Sequence, residues 1–169
     1  MNWGCSNPSF NKGHALNQSV SVFNIILLGA IVIQKYKDKT IPQLLKEARK
    51  VCHAYIKARD RQGNYATCIS CQNTFLADIM QAGHYFKSEL YSCVRFNELN
   101  INLQCEHCNC FEEGNLVMYE PNLINKIGIE AFTDLQDTVE AYRRSFFKWD
   151  RSSLIDIIDY YSTKLKEVS

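Results

Sequence analysis

Two cysteine pairs bracket a lone histidine in this 169-residue chain: Cys68-Ile-Ser-Cys71, then His84, then Cys105-Glu-His-Cys108, followed directly by Asn109. Each C-x-x-C puts two thiolates on one tight turn, so the two pairs together can close a tetrahedral structural Zn²⁺ site. His84 suits a general base, because imidazole titrates near neutral pH. A histidine without context is more often a satisfied structural residue, so its neighbours decide the matter. Asn109 follows the second knuckle, where its carboxamide oxygen can serve a hard ion such as Mg²⁺ or Mn²⁺, which takes oxygen ligands and keeps several waters. Asn100 lies five residues before Cys105, where a side-chain amide can tie a hairpin loop and hold His84 in position. A positioned base and a divalent cation are what phosphodiester hydrolysis needs.

These residues must be held by elements. The spacer from Gln72 to Gln104 is 33 residues, longer than a simple zinc ribbon requires, and should carry structure of its own. Within it 82–86 reads as one strand and 100–104 as a second that runs into the later knuckle. The expected result is a zinc-pinned hairpin presenting His84. Upstream, Thr40-Ile-Pro-Gln43 forms a capping box with proline in the first turn. Apolar residues recur at helical spacing from Ile41 to Ile56, and Gly63 stops the helix. Its other face offers Lys46, Arg49, Lys50, Lys57, Arg59 and Arg61, which singly read as solvated charges. Downstream the spacing predicts a short helix from Pro121 to Ile127, another over 130–142, and a last helix capped by Ser153 with an apolar stripe through Leu154, Ile157, Ile158, Tyr161 and Leu165.

Composition fits one small domain. Hydrophobic residues make up 46% of the chain, enough for a real core. Four of eight cysteines sit in C-x-x-C pairs, which favours metal in a reducing compartment over a secreted disulfide scaffold. The net charge of +1 hides an asymmetry: residues 35–61 carry nine Lys/Arg against three Asp/Glu, and residues 112–169 carry seven against eleven. A basic face for a polyanion and an acidic solvated face follow, with Lys46, Lys50 and Lys57 the expected phosphate contacts. Residues 1–34 stand apart. The apolar run 20–33 is shorter than the roughly 20 residues a membrane helix needs, and no small-x-small cleavage site follows it. A cytoplasmic protein without a membrane segment is expected, with residues 35–169 as the working domain.

The ordered set of motifs resembles a known pattern. Cys-x-x-Cys, His, Asn, Cys-x-x-Cys-Asn is similar to the HNH (ββα-metal) nucleases, in the variant ending in asparagine. The longer strings, Ala82-Gly-His-Tyr85, Arg95-Phe-Asn-Glu98, Gln104-Cys105, Cys108-Asn109, Gly114-Asn-Leu-Val117 and Ile127-Gly128, resemble the NinG/Rap family of lambdoid phages, recombination endonucleases acting on branched DNA such as Holliday junctions. The likeness spans about three quarters of the chain, from Ile41 to Lys166. It implies an α+β fold: a zinc-stapled ββα-metal core over 66–120, with the basic helix 41–61 before it and helices within 121–167 after it. It implies a metal-dependent nuclease encoded by a phage or prophage, with branched DNA as partner and no small-molecule cofactor. Residue by residue, His84 would be the base, Asn100 the loop-ordering residue, Asn109 the ligand of the catalytic ion, and Arg95 and Asn97 phosphate neighbours. Cys68, Cys71, Cys105 and Cys108 would hold zinc, with His107 and Cys110 as substitutes.

Two positions depart from the pattern. Gly83 stands where many HNH enzymes have an aspartate ligand, and Gln81 where some relatives have an acidic residue. Asp78 and Asn115 are the expected alternatives for the missing ligand. Cutting a four-way junction symmetrically would need two sites, hence a homodimer. The competing readings are a catalytically silent zinc-stapled DNA-binding module and a general HNH endonuclease.

Overall fold

The structure is a computed structural model describing residues 35–143 and 147–168. The apolar run 20–33 lies outside the described residues. Among the described residues, four α-helices from Ile41 onward and two small antiparallel sheets make an α+β fold.

Helix α1 spans Ile41–Asp60. At its start the Thr40 backbone N–H donates to the Gln43 carboxamide at 2.7 Å, one half of the expected capping box. Leu44, Ala48, Cys52, Tyr55 and Ile56 are buried on one face, at the i, i+4, i+8 spacing that makes one side of a helix apolar. They pack against Leu154, Ile155, Ile157, Ile158 and Tyr161 of the last helix, α4 (Arg151–Val168), to form the main core. The cap of α4 is Asp150, not Ser153: its carboxylate accepts from the Ser153 backbone N–H at 2.8 Å and from both Ser152 and Ser153 hydroxyls. A carboxylate three residues upstream outcompetes a serine hydroxyl for the free N–H groups of the first turn.

Strands β1 (Tyr65–Thr67) and β2 (Thr74–Leu76) pair antiparallel, and the first cysteine knuckle occupies their connection. Strands β3 (Gln81–His84) and β4 (Ile101–Gln104) form the second hairpin, with Gln81 opposite Gln104 and His84 opposite Ile101. Against the expected strands over 82–86 and 100–104, β3 begins one residue earlier and ends two earlier, and β4 begins one residue later. After β4 comes a wide helical turn, His107–Phe111, holding the second knuckle and Asn109.

Helix α2 runs Leu116–Ile127, beginning five residues before the expected start at Pro121, which lies inside it. Proline lacks the N–H that would reach back to Val117, and Val117 is at the surface where water can take that bond. Gly128 ends the helix with φ +84°, and α3 (Ile129–Arg143) follows at once. Tyr119 and Leu123 of α2, Phe132 of α3, and Ile69 and Tyr85 make a second core, while Val94 packs with Leu135 and Val139. No helix of the described residues is long and apolar enough to cross a membrane.

Candidate functional site

The cysteines converge as their spacing predicts. The sulfurs of Cys68, Cys71, Cys105 and Cys108 all lie within 4.8 Å of one another. Cys71 and Cys105 sulfurs are 3.9 Å apart, too far for a disulfide bond and close to the ~3.8 Å edge of a tetrahedron of thiolates around zinc. Burial pushes the Cys71 and Cys108 thiols up, so a bound cation is what would keep them ionised. The donor set therefore fits a metal such as zinc. His107 is exposed and pairs with Glu112 at 3.1 Å, and Cys110 is exposed, so neither belongs to the group.

His84, Asn109, Arg49, His53, Lys87 and Glu89 line one cleft of about 470 Å³. The loop beneath it is built by Asn100, which is fully buried. Its carboxamide oxygen accepts from the Phe86 N–H at 2.8 Å, and its amide donates to the Phe86 and Val94 carbonyls at 3.0 and 3.1 Å. The His84 Nε2 lies 2.9 Å from the Arg95 carbonyl oxygen. A carbonyl can only accept, so Nε2 carries the proton and Nδ1 of the neutral ring holds the free lone pair. Burial lowers the His84 pKa, opposed by the Arg95 carbonyl, and the ring is a free base at neutral pH.

Asn109 is oriented by Gln81, whose carboxamide oxygen accepts from Asn109 Nδ2 at 2.5 Å. That fixes the Asn109 Oδ1 as the free acceptor, on the Gly83 side. A Cβ built on Gly83 would sit 2.9 Å from that oxygen and 1.8 Å from the buried Gln104 Oε1. No aspartate fits there. Tyr119 stiffens the same strand by donating to the Gly83 carbonyl at 3.2 Å. The cleft thus holds one oriented carboxamide oxygen and the Glu89 carboxylate, the kind of oxygen donors a divalent cation would take. Glu89 stays ionised: burial raises its pKa, but hydrogen bonds from its own backbone and from Ser88 more than offset that.

Other expected residues fall elsewhere. Arg95 turns its guanidinium to the Ser88 carbonyl at 2.8 Å and does not line the cleft. Asn97 is 6% exposed, and its oxygen accepts from the Leu99 N–H at 2.9 Å, so it is a buried turn residue and not a surface phosphate contact. Asp78 is outside the cleft near Arg61, and Asn115 donates to the Cys108 sulfur at 3.6 Å. Lys46 and Lys50 are exposed along α1, whereas Lys57 donates to the Asp78 carbonyl at 2.9 Å. Arg59, counted by sequence among the surface charges, is turned inward: it donates to the Glu98 and Ile101 carbonyls at 2.8 Å and pairs with Asp60. Sequence reading missed His53, although its place four residues after Arg49 and seven after Lys46 puts all three on one helix face.

Comparison with known proteins agrees with this arrangement of motifs. A family model described as "NinG: Bacteriophage Lambda NinG protein" matches residues 30–169. The proteins named "Protein ninG" of Escherichia phage 933W and Escherichia phage lambda are each 35% identical over 136 residues, covering 80% of this chain and 63% and 62% of theirs. The ninG protein of Salmonella phage P22 is 34% identical over the same length. The chain thus spans under two thirds of the length of these relatives. No solved structure matches it. On the extent of the family match and these identities, the chain belongs to the NinG family of lambdoid phage proteins.

Proposed function

We propose that this chain is an HNH-type, metal-dependent DNA endonuclease of the ββα-metal kind, hydrolysing phosphodiesters in branched recombination intermediates such as Holliday junctions. The observation that carries the reading is His84: its tautomer is set by the Arg95 carbonyl, and it shares a cleft with an oriented Asn109 carboxamide.

In this reading Nδ1 of His84 takes the proton of the attacking water. Asn109, helped by Glu89, would hold Mg²⁺ or Mn²⁺, which when bound supplies stabilisation of negative charge on the phosphate and the leaving oxygen. Asn100 keeps the loop under His84 at one height, and Gln81 keeps the Asn109 oxygen pointed the same way. Hairpin β3–β4, the following turn with Asn109 and helix α2 serve as the ββα unit, stapled by zinc at the four cysteines. Branched DNA offers a phosphate backbone that bends at low cost, so shape rather than base identity would select it. Two cuts in one junction call for a homodimer.

The test is direct. Purified protein is incubated with matched linear, forked and four-way junction DNA, with and without Mg²⁺ or Mn²⁺. Metal-dependent cutting of the junction in preference to linear duplex is expected, lost in His84→Ala by ~10²–10⁴-fold. Equal cutting of linear and branched DNA would leave a general HNH endonuclease. Tight binding without cutting in either metal would leave a silent zinc-stapled DNA-binding module.

A further inference from the structure

The wall of the cleft facing His84 belongs to α1. Arg49 and His53 stand one turn apart on that helix and line the cleft with His84 and Asn109. The His53 and His84 ring centroids are 5.7 Å apart. Arg49 is exposed and makes no hydrogen bond or ion pair with any described residue, in contrast to Arg59, Arg61, Arg95 and Arg143, each of which donates to another group. His53 touches His84 but has no hydrogen-bond partner among the described residues, and it is only partly buried. Burial lowers its pKa to about 4, with His84 and Arg49 adding to the effect, so it is a neutral N–H donor at working pH. At 3.6 residues per turn, Arg49, His53, Lys46, Lys57 and Lys50 fall within an arc of about 100° on α1. The lysine stripe therefore leads along the helix to the cleft.

We propose that Arg49 and His53 are the substrate-binding wall of this cleft: the Arg49 guanidinium neutralises the phosphate being cut, and the His53 ring N–H donates to a non-bridging oxygen of it. The inference rests on the nuclease reading above and adds to it the groups that grip the reacting phosphate. Guanidinium matches the phosphate fork and is weakly hydrated. His84 stays free for water because the anion is taken by the opposite wall. Placing a fixed cation at the phosphate also speeds the chemical step, since charge builds on those oxygens.

The experiment uses the full chain and a fluorescent four-way junction. Binding is measured against salt without added divalent cation, and single-turnover cleavage with Mn²⁺ and protein in saturating excess over junction. One lost phosphate contact lowers the slope of log affinity against log salt by about 0.9. Arg49→Ala should lose that increment and Arg49→Lys restore it. Arg49→Ala should stay at least ~10-fold slower at saturation. His53→Phe should keep the slope and lose rate, with His53→Gln, which retains an N–H donor, recovering part of it. Wild-type slope and rate in both Arg49→Ala and His53→Phe, in a protein that cuts junctions, overturns the inference and leaves the nuclease reading. An Arg49-dependent slope in a protein that cuts nothing supports the phosphate wall and overturns the nuclease reading. Failure to bind any junction overturns both.

Discussion

At the scale of single residues, Gly83 explains a departure that the sequence could only register. The space that an aspartate would need is taken by the Gln104 side chain, itself held by two 2.7 Å hydrogen bonds to Ser70 and the Gly114 carbonyl, and by the Asn109 oxygen. Gly83→Ala should therefore lower stability by ~1–3 kcal/mol through overpacking, seen as a lower melting temperature with zinc content intact. His53 makes a second prediction. Its folded pKa of about 4 lies below the ordinary value of 6.5, so the unfolded chain binds the extra proton first as pH falls. Stability from this group is complete above about pH 6.5 and is lost as pH drops toward 4. A His53→Phe variant should show a shallower loss of thermal stability than the wild type across that window. These residue-level facts were legible only in part. The types and offsets of Cys68, His84 and Asn109 show in the sequence because chemistry needs those side chains. The partners of Gln81, Asn97 and Arg59 depend on which way each side chain turns, and a helix face or a strand can send an arginine either outward or into its neighbour.

At the scale of elements, the four cysteines do more than close a site. Cys68, Cys105 and Cys108 are buried with Ala66, Ala77, Met80 and Leu103 in a small core that carries little else. Strands of three and four residues cannot hold themselves together in water, so a metal held by the four cysteines would stabilise this part of the molecule directly. Cys68→Ser or Cys105→Ser should unfold the two hairpins, and the wild-type protein should contain one zinc ion per chain by elemental analysis. A strong chelator should lower the melting temperature. Asn109→Ala should instead leave zinc content and fold unchanged while the Mg²⁺ requirement for cleavage rises or activity disappears. The long helices were legible from their apolar period, and β3 and β4 from their position before the knuckle. The β1–β2 pair was not, because its three-residue strands give no period to read, and α2 began early because Leu116–Glu120 has no stop signal before Pro121.

At the scale of the whole molecule, the charge asymmetry has a physical address. Lys46 and Lys50 remain exposed on α1, while Arg59 and Lys126 are bound to Asp60 and Lys164 to Glu98. Net local charge therefore overstates what DNA can meet. If the proposed function holds, reversing Lys46 and Lys50 to glutamate should weaken binding to every DNA and flatten its salt dependence, and any residual cutting should keep a preference for branches, because that preference would come from the shape of the site. Binding isotherms on linear and four-way DNA at several salt concentrations check both statements.

The packing of α1 against α4 sets a timetable for biogenesis. The apolar face of α1, complete at Asp60, meets Phe96 and Ile101 first but gains most of its buried partners only when Arg151–Val168 has been made. Ninety intervening residues must leave the ribosome first, and at roughly 5–20 residues per second that is several seconds with a largely uncovered hydrophobic stripe. A chain halted before α4 should collect in aggregates or be degraded.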